Sequence, residues 1–389
     1  GKITINGKEY GKVLVNGREF FGDDPQMALK NLPANIIKRI KTYDRKSEQA
    51  RLTGIDDGVE NNVIDLVIKP DLLKGLVGRA SAAAGSDDRY STALNVNRFR
   101  RDGQLSVMGG MNNINNPGFS EKGNDAMNFS RAARPGFTAS KSAGITYAKD
   151  KKDRYRLSGN VRYGYTDAEN SSLSHSETSY SDSSYRYNDG ENHSGRRRNE
   201  LSADFKLEWK IDTLTSLHVR PSFSYYKTDN RASGSSSAQR WNGRAEADTV
   251  DINQRLSHNA SDSEGSNEGI SLNASRRLSP AGRNVAVNAS YGYSSSASNS
   301  HSRNITTYYL QMQRNRNYNR RSDADRFSMN YSVGATYSEP LFKGAFLQFR
   351  YNYSYRHARA NRYGYQVEYA RADSVGLDAP EVDWTVVPV

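Results

Sequence analysis

The stretch Leu201-Ser-Ala-Asp-Phe-Lys-Leu-Glu-Trp-Lys-Ile211 alternates apolar residues with polar or charged residues without a break. Successive side chains on a β-strand point to opposite faces, so the alternation places all the apolar residues on one face. That face comprises Leu201, Ala203, Phe205, Leu207, Trp209 and Ile211, and the opposite face comprises Ser202, Asp204, Lys206, Glu208 and Lys210. Because a strand needs roughly 9–11 residues to cross a bilayer, the stretch predicts a transmembrane β-strand.

The same alternation recurs along the chain from about residue 75 onward. Clear cases lie at 154–165, 327–337 and 347–355, and weaker cases lie at 76–85, 90–101, 104–112, 140–149, 215–227, 267–278 and 284–298. Together with 201–211, these segments predict about eleven strands.

The connections between these segments alternate in length. Short turns occur at 101–103, 150–153, 212–214 and 280–282, and long polar stretches without a strand pattern lie at 113–139, 168–197, 229–266 and 299–325. Outer-membrane barrels join their strands by short periplasmic turns and long external loops in turn. The predicted fold is therefore mainly β: a transmembrane antiparallel up-and-down β-barrel, partly present, in which the long stretches are external loops.

The bulk composition is compatible with a barrel. No run approaches 18 apolar residues, so no transmembrane helix is predicted. The formal charge of +12 could indicate nucleic acid, but Lys and Arg are spread along the chain, and we predict no nucleic-acid partner. The absence of Cys excludes disulfides and thiolate metal sites, and the six His show no ligand spacing.

Candidate catalytic and metal-binding runs have simpler explanations. Gly54-Ile-Asp-Asp-Gly-Val-Glu60 lacks the alternate acidic ligands of a calcium loop and is better explained as a turn. Asp23 and Asp24 precede Pro25 and are better explained as helix caps than as a catalytic pair. Because no known catalytic motif is present, we predict a protein that is not an enzyme and has no cofactor, metal or catalytic site.

Tyrosines near the predicted strand ends have two interpretations. Anchoring in an interfacial aromatic girdle is favoured for most of them. Tyr308, Tyr309 and Trp241 lie in the predicted external loops, where they could contact a solute.

The residues before about Pro70 differ in composition from the remainder and carry helix signals. Ile5-Asn-Gly-Lys-Glu-Tyr10 is echoed by Val15-Asn-Gly-Arg-Glu-Phe20, and Asn-Gly between strand formers predicts a pair of hairpins. Pro25 predicts a helix start, and a second short helix is predicted near Pro33, leading into a strand at 39–43. With a further strand at 63–69, this region predicts a small α+β domain.

Segments 12–25, 30–34, 40–48 and 53–58, followed by the strand that ends at Lys69, resemble the plug of TonB-dependent receptors. More narrowly, they resemble outer-membrane β-barrel proteins of Bacteroidota. The structural plug motif comprises Asn16, Gly17, Gly22, Asp23, Asp24, Pro25, Pro33, Gly54, Asp56, Asp57 and Gly58. The resemblance implies that 1–72 is the C-terminal part of a plug and that 75–389 is the N-terminal part of a barrel. Both ends look cut, so we expect a piece of a longer protein.

The resemblance implies a receptor in the outer membrane of a Gram-negative bacterium that imports a nutrient such as a glycan, a peptide or a metal chelate. Its implied partners are outer-membrane lipid, a small solute, the TonB energy-coupling complex through a segment absent from this sequence, and a surface lipoprotein. Ligand-binding residues vary with substrate in this family, so none is transferred by position.

Two other classes of protein are kept as alternatives. One is a passive or structural outer-membrane barrel for adhesion or assembly, and the other is a soluble β-rich binding or enzymatic domain. If the membrane interpretation holds, the first region should lie against the polar face that carries Arg156, Arg162 and Lys206. The partial barrel should then be an open sheet with an unpaired edge.

Overall fold

In the computed structural model, the described residues form three β-sheets. The residues it describes are 3–5, 8–19, 32, 34–47, 50, 58–115, 136–151, 154–181, 184–241, 249–342 and 345–368.

Two of the sheets belong to the N-terminal region. A two-stranded hairpin joins β1 (Ile3–Ile5) to β2 (Lys8–Tyr10). A four-stranded sheet, called the small sheet, has the order β4-β3-β6-β5. It comprises β3 (Lys12–Val15), β4 (Arg18–Glu19), β5 (Ile37–Lys46) and β6 (Glu60–Ile68). Strand β3 runs parallel to β6, and the other two pairs are antiparallel.

The turn between β3 and β4 follows from its Asn-Gly sequence. Asn16 and Gly17 have φ angles of +51° and +74°, the positive values that a type I′ hairpin turn requires. The Gly17 N–H donates to Asp65 Oδ1 at 2.7 Å, and Asn16 Oδ1 accepts from the Ile68 N–H at 3.0 Å. The predicted pair of hairpins is confirmed by the β1–β2 and β3–β4 pairs.

The helix predicted near Pro33 is limited to one turn. Ala34–Ile36 forms a 3-10 turn, and Ile37 already begins β5, which pairs with β6 along its length. Extended pairing with a buried neighbouring strand overrides the short helical signal. The helix predicted at Pro25 lies outside the described residues. Within the described ranges, no helix has the length and apolarity needed to cross a membrane.

The third sheet contains eleven antiparallel strands, each paired with its neighbours in chain order. They are β7 (Leu76–Ala84), β8 (Tyr90–Phe99), β9 (Gly103–Asn112), β10 (Phe137–Lys151), β11 (Tyr155–Ser181), β12 (Ser184–Lys210), β13 (Thr215–Trp241), β14 (Thr249–Arg277), β15 (Asn284–Tyr308), β16 (Arg316–Phe342) and β17 (Ala345–Glu368). The prediction of a mainly β, antiparallel up-and-down fold with about eleven strands is confirmed. The sheet is open in the described part of the chain, with β7 and β17 at its edges.

The expectation of structureless loops at 168–197, 229–266 and 299–325 is wrong. Most of each stretch is paired strand: Ser172 lies opposite Asn192, Ala232 opposite Asn259, and Ser300 opposite Ser322. These parts of the strands are polar on both faces, so they lack the apolar alternation by which strands are recognised. Of the stretch 113–139, residues 116–135 lie outside the described part. Whether these ends are external stays a prediction.

The two faces of the large sheet are identified by contact with the small sheet. Residues directly opposite on antiparallel strands point to the same face. Lys206 contacts Glu19 of β4, and the face that carries Lys206 is called the inner face. Phe99 and Met108, also on this face, pack with Val13, Val15, Leu66 and Ile68 in one buried core cluster. The small sheet is thus attached to the inner face by an apolar contact as well as an ionic one.

Candidate functional site

The outer face of the large sheet carries a broad apolar belt. On β12, Phe205 is 47% exposed and Trp209 is 44% exposed. The belt continues across the strands, because Leu207 lies opposite Leu157 on one side and Val219 on the other. Soluble proteins rarely expose a continuous apolar surface larger than a few hundred Å². The predicted separation of faces on 201–211 is confirmed, and the belt has the composition of a surface that meets lipid.

Aromatic residues border this belt at both ends. Near the short turns, Tyr155 lies opposite Trp209, and Tyr163 and Tyr165 follow further along the same strand. From Tyr155 to Tyr165, ten residues at about 3.4 Å each and a tilt of about 45° span about 24 Å of bilayer thickness. An apolar band of about 25 Å between two aromatic girdles is typical of outer-membrane barrels.

The inner face carries an ionic network where β4 contacts it. The Glu19 carboxylate lies 2.9 Å from Lys206 Nζ and 3.2 Å from Lys12 Nζ. Lys206 Nζ is in turn 2.8 Å from Glu208, whose carboxylate lies 3.7 Å from Arg156. The network therefore joins the small sheet to β11 and β12.

The environment of Glu19 favours its charged form. Burial alone would raise the pKa of this carboxyl group, but the ammonium groups of Lys206 and Lys12 outweigh burial and lower the pKa below its usual value. Glu19 and Lys206 are both mostly buried, with 16% and 11% of their side chains exposed. The contact is consequently better protected from solvent screening than a surface ion pair.

Backbone groups complete the contact between β4 and the large sheet. Gln104 Nε2, on the inner face of β9, donates to the Glu19 carbonyl oxygen at 2.8 Å. The guanidinium group of Arg18 donates to the carbonyl oxygen of Arg101 in the turn between β8 and β9. The sequence did not single out Arg18, Glu19 or Gln104, because no local pattern distinguishes them from other polar residues of a hairpin.

The predicted structural motif is only partly described. Asn16 and Gly17 form the turn at the end of β3, and Gly58 has a φ angle of +71° just before β6. The other motif residues lie outside the described part of the chain: Gly22, Asp23, Asp24, Pro25, Pro33, Gly54, Asp56 and Asp57. Among the described residues, no group of three His, Asp or Glu is placed to hold a metal ion.

The aromatic residues considered for solute contact lie at the strand ends far from the short turns. Tyr309 Oη hydrogen-bonds to Gln254 Oε1 at 3.2 Å, and the ring of Trp241 lies 5.5 Å from that of Tyr185. Tyr309 and Trp241 therefore contact different side chains, on either side of the same end of β14.

Comparison with known proteins adds distant structural likeness only. No family model matches the chain, and no curated protein matches it. The copper transporter OprC has 11% identity and a TM-score of 0.19, with 89% of this chain and 71% of OprC covered. The ferric yersiniabactin uptake receptor FyuA from Yersinia pestis has 11% identity and a TM-score of 0.22, covering 91% and 65%. BauA, the ferric preacinetobactin receptor from Acinetobacter baumannii, has 10% identity and a TM-score of 0.24, covering 92% and 69%. At these values the likeness carries no argument about what this chain binds or does.

Proposed function

We propose that this chain forms part of an outer-membrane receptor that imports a small solute. The observation that carries the proposal is the pairing of an apolar, aromatic-bordered outer face with a polar inner face that holds a separate small sheet. A sheet with one face in lipid and one in water is the wall of a pore. A domain attached to the watery face lies where it would obstruct passage.

We infer that the N-terminal region acts as a plug and that its release is driven by the TonB complex. The contact of β4 with the inner face supports this role because it combines a limited set of ion pairs and hydrogen bonds with a modest apolar cluster. Such a contact holds the plug at rest and can be broken without unfolding the wall. A surface lipoprotein and lipid of the outer membrane are the further partners of this proposal.

The test is uptake by the intact gene product in its native outer membrane. Cells are supplied with candidate glycans, peptides and metal chelates, with and without a protonophore that removes the energy for TonB action. The expected result is that deletion of the gene abolishes uptake of one solute class, and that the protonophore does the same. Uptake that is unaffected by both treatments would contradict the proposal.

A structural or adhesive barrel is a second candidate, and the length of the strands favours it. Strand β14 has 29 residues, which is about 95 Å at roughly 3.3 Å per residue and well beyond what a bilayer needs. Paired strands of this length would project far from the membrane. Loss of surface attachment without any loss of uptake in the deletion strain would favour this candidate.

A further inference from the structure

The inner face of β13 to β17 forms one continuous surface that is made mainly of small polar residues. Register links its residues in rows, such as Arg220, Ser271, Ser290, Ser332 and Ser354. Neighbours within a row are in contact: Ser290 Oγ and Ser332 Oγ lie 2.7 Å apart. Serine and asparagine dominate these rows, so the surface offers many hydrogen-bonding groups to a polar solute.

Charge is divided unequally between the two faces of these strands. Over 215–231, 261–277, 284–300, 322–338 and 348–364, every acidic residue lies on the outer face: Asp229, Asp262, Glu264, Glu268, Asp323 and Asp325. Over the same ranges, the inner face carries six arginines: Arg220, Arg277, Arg326, Arg350, Arg356 and Arg362. The inner face in these ranges is therefore purely basic.

Two arginines of the outer face have acidic partners, whereas one arginine of the inner face has a neutral partner. On the outer face, Arg231 pairs with Asp229 at 3.3 Å and Arg321 pairs with Asp323 at 3.1 Å. On the inner face, Arg362 donates to the neutral hydroxyl of Ser322 at 3.0 Å. These two outer arginines are thus neutralised along their own strands, although Arg359, also on the outer face, donates to the neutral amide of Asn361. The inner face keeps a net positive charge over the ranges given above, because it carries no acidic residue there.

Two of the six inner-face arginines, Arg326 and Arg356, line one cleft. The lining also includes Tyr226, Asn267, Ser294, Ser296 and Ser328 of the inner face and Arg359 of the outer face, and the volume of the cleft is about 460 Å³. Guanidinium groups bind carboxylate, sulfate and phosphate groups through paired hydrogen bonds. A surface of one sign within a confined wall also concentrates counter-ions from solution.

We propose that the inner face of β13 to β17 binds a small polyanionic solute, one that carries several carboxylate, sulfate or phosphate groups. The proposal names the substrate class of the proposed receptor and rests on the inner face lining its aqueous lumen. An uncharged solute of the same size gains only hydrogen bonds from the serine and asparagine rows, and a cationic solute is repelled by the arginines.

The test is calorimetric titration of the intact, detergent-purified gene product at low ionic strength. The probes are inositol hexakisphosphate, citrate and uncharged inositol. We expect both anions to bind and inositol not to bind, with affinity falling as salt is raised. The double variant R326Q/R356Q should weaken anion binding roughly tenfold, because two charges close to the ligand are removed.

The matched control is R231Q/R321Q, which removes two outer arginines. It should leave anion binding unchanged, and heat-modifiability on gels should show both variants folded. Equal binding of inositol and its hexakisphosphate, or equal loss in the inner and outer variants, would overturn the proposal. Binding of phosphate but not of citrate would narrow the class to phosphate-bearing solutes.

The outcomes separate this proposal from the proposed function. Selective anion binding together with energy-independent uptake would leave the basic surface established and contradict active import. Energy-dependent uptake of an uncharged solute, without anion binding, would support active import and contradict the proposed binding of polyanions.

Discussion

At the scale of single residues, the face on which a side chain lies decides what it contributes. Leu207 and Lys206 are neighbours in sequence, yet Leu207 lies in the apolar belt and Lys206 contacts Glu19 of the small sheet. Because side chains alternate between the two faces of a strand, adjacent residues such as these always lie on opposite faces. A substitution whose polarity matches its face should leave the stability of the protein nearly unchanged. A substitution that places a charge on the apolar face should lower the stability.

Leu207→Arg should destabilise the membrane-inserted protein by about 2–4 kcal/mol, because a charge on the lipid face must be desolvated near the bilayer midplane. The matched control is Ser202→Arg on the inner face of the same strand, where the new side chain meets water. Unfolding in lipid vesicles by urea measures both variants. Equal costs for the two would contradict the assignment of faces.

Gly17→Ala should destabilise the small sheet by about 1–2 kcal/mol, because an L-residue is strained at a φ angle of +74°. The control is Gly11→Ala, since Gly11 has no positive φ angle and open space around its Cα. Hydrogen exchange of the β3 and β6 amides reports the stability of this sheet. A loss as large in Gly11→Ala as in Gly17→Ala would show that the turn conformation is not the cause.

At the scale of elements, the attachment of β4 to β9 and β12 is the contact on which the plug proposal depends. The two ends of the Glu19–Lys206 pair are 187 residues apart in sequence. The pair therefore ties the small sheet to the wall rather than stabilising either element by itself.

Glu19→Gln and Lys206→Met should each weaken this attachment, with a coupling free energy of about 1–2 kcal/mol in a double-mutant cycle. The readout is protease release of the N-terminal region from the intact protein. Independent, additive effects of the two substitutions would show that the pair contributes nothing.

The same contact should weaken in acid. Because the folded-state pKa of Glu19 is below the usual 4.5, its contribution is fully present above pH 4.5 and is lost as pH falls through the lowered pKa. Protease release measured at a series of pH values should rise in acid for the parent protein. In Glu19→Gln, release should follow a flatter pH profile, and identical profiles would contradict the role of this carboxylate.

At the scale of the whole molecule, the strand ends differ in length above and below the belt. The strand ends at Lys151, Lys210, Arg277 and Phe342 lie close to the belt, whereas the opposite ends of β11 to β16 extend well past it. In an outer membrane the short turns should face the periplasm and the extensions should face the exterior.

Protease added to intact cells should therefore cut at the ends near 182 and 245 and spare the turns near 152 and 213. After the outer membrane is opened, the short turns should become accessible as well. Cleavage of the short turns in intact cells would mean that the orientation is inverted.

Much of this fold could be predicted from local sequence, because strand faces and tight turns depend on residues close together in the chain. The alternation at 201–211 determined a strand with one apolar face, and Asn16-Gly17 determined a hairpin turn. The polar strand extensions were missed because both of their faces are polar, so no periodic signal marks them.

Only the tertiary structure decided which of the many polar residues form the site. Glu19, Gln104 and Lys206 come from three distant segments, and Coulombic and hydrogen-bonding contacts depend on distance in space rather than in sequence. The division of charge across β13 to β17 likewise needed the register, because the inner arginines and the outer acidic residues come from different strands and only strand pairing shows which residues share a face. The alternation in the sequence determines which residues of one strand share a face. The pairing of strands determines which residues of different strands lie next to one another on that face.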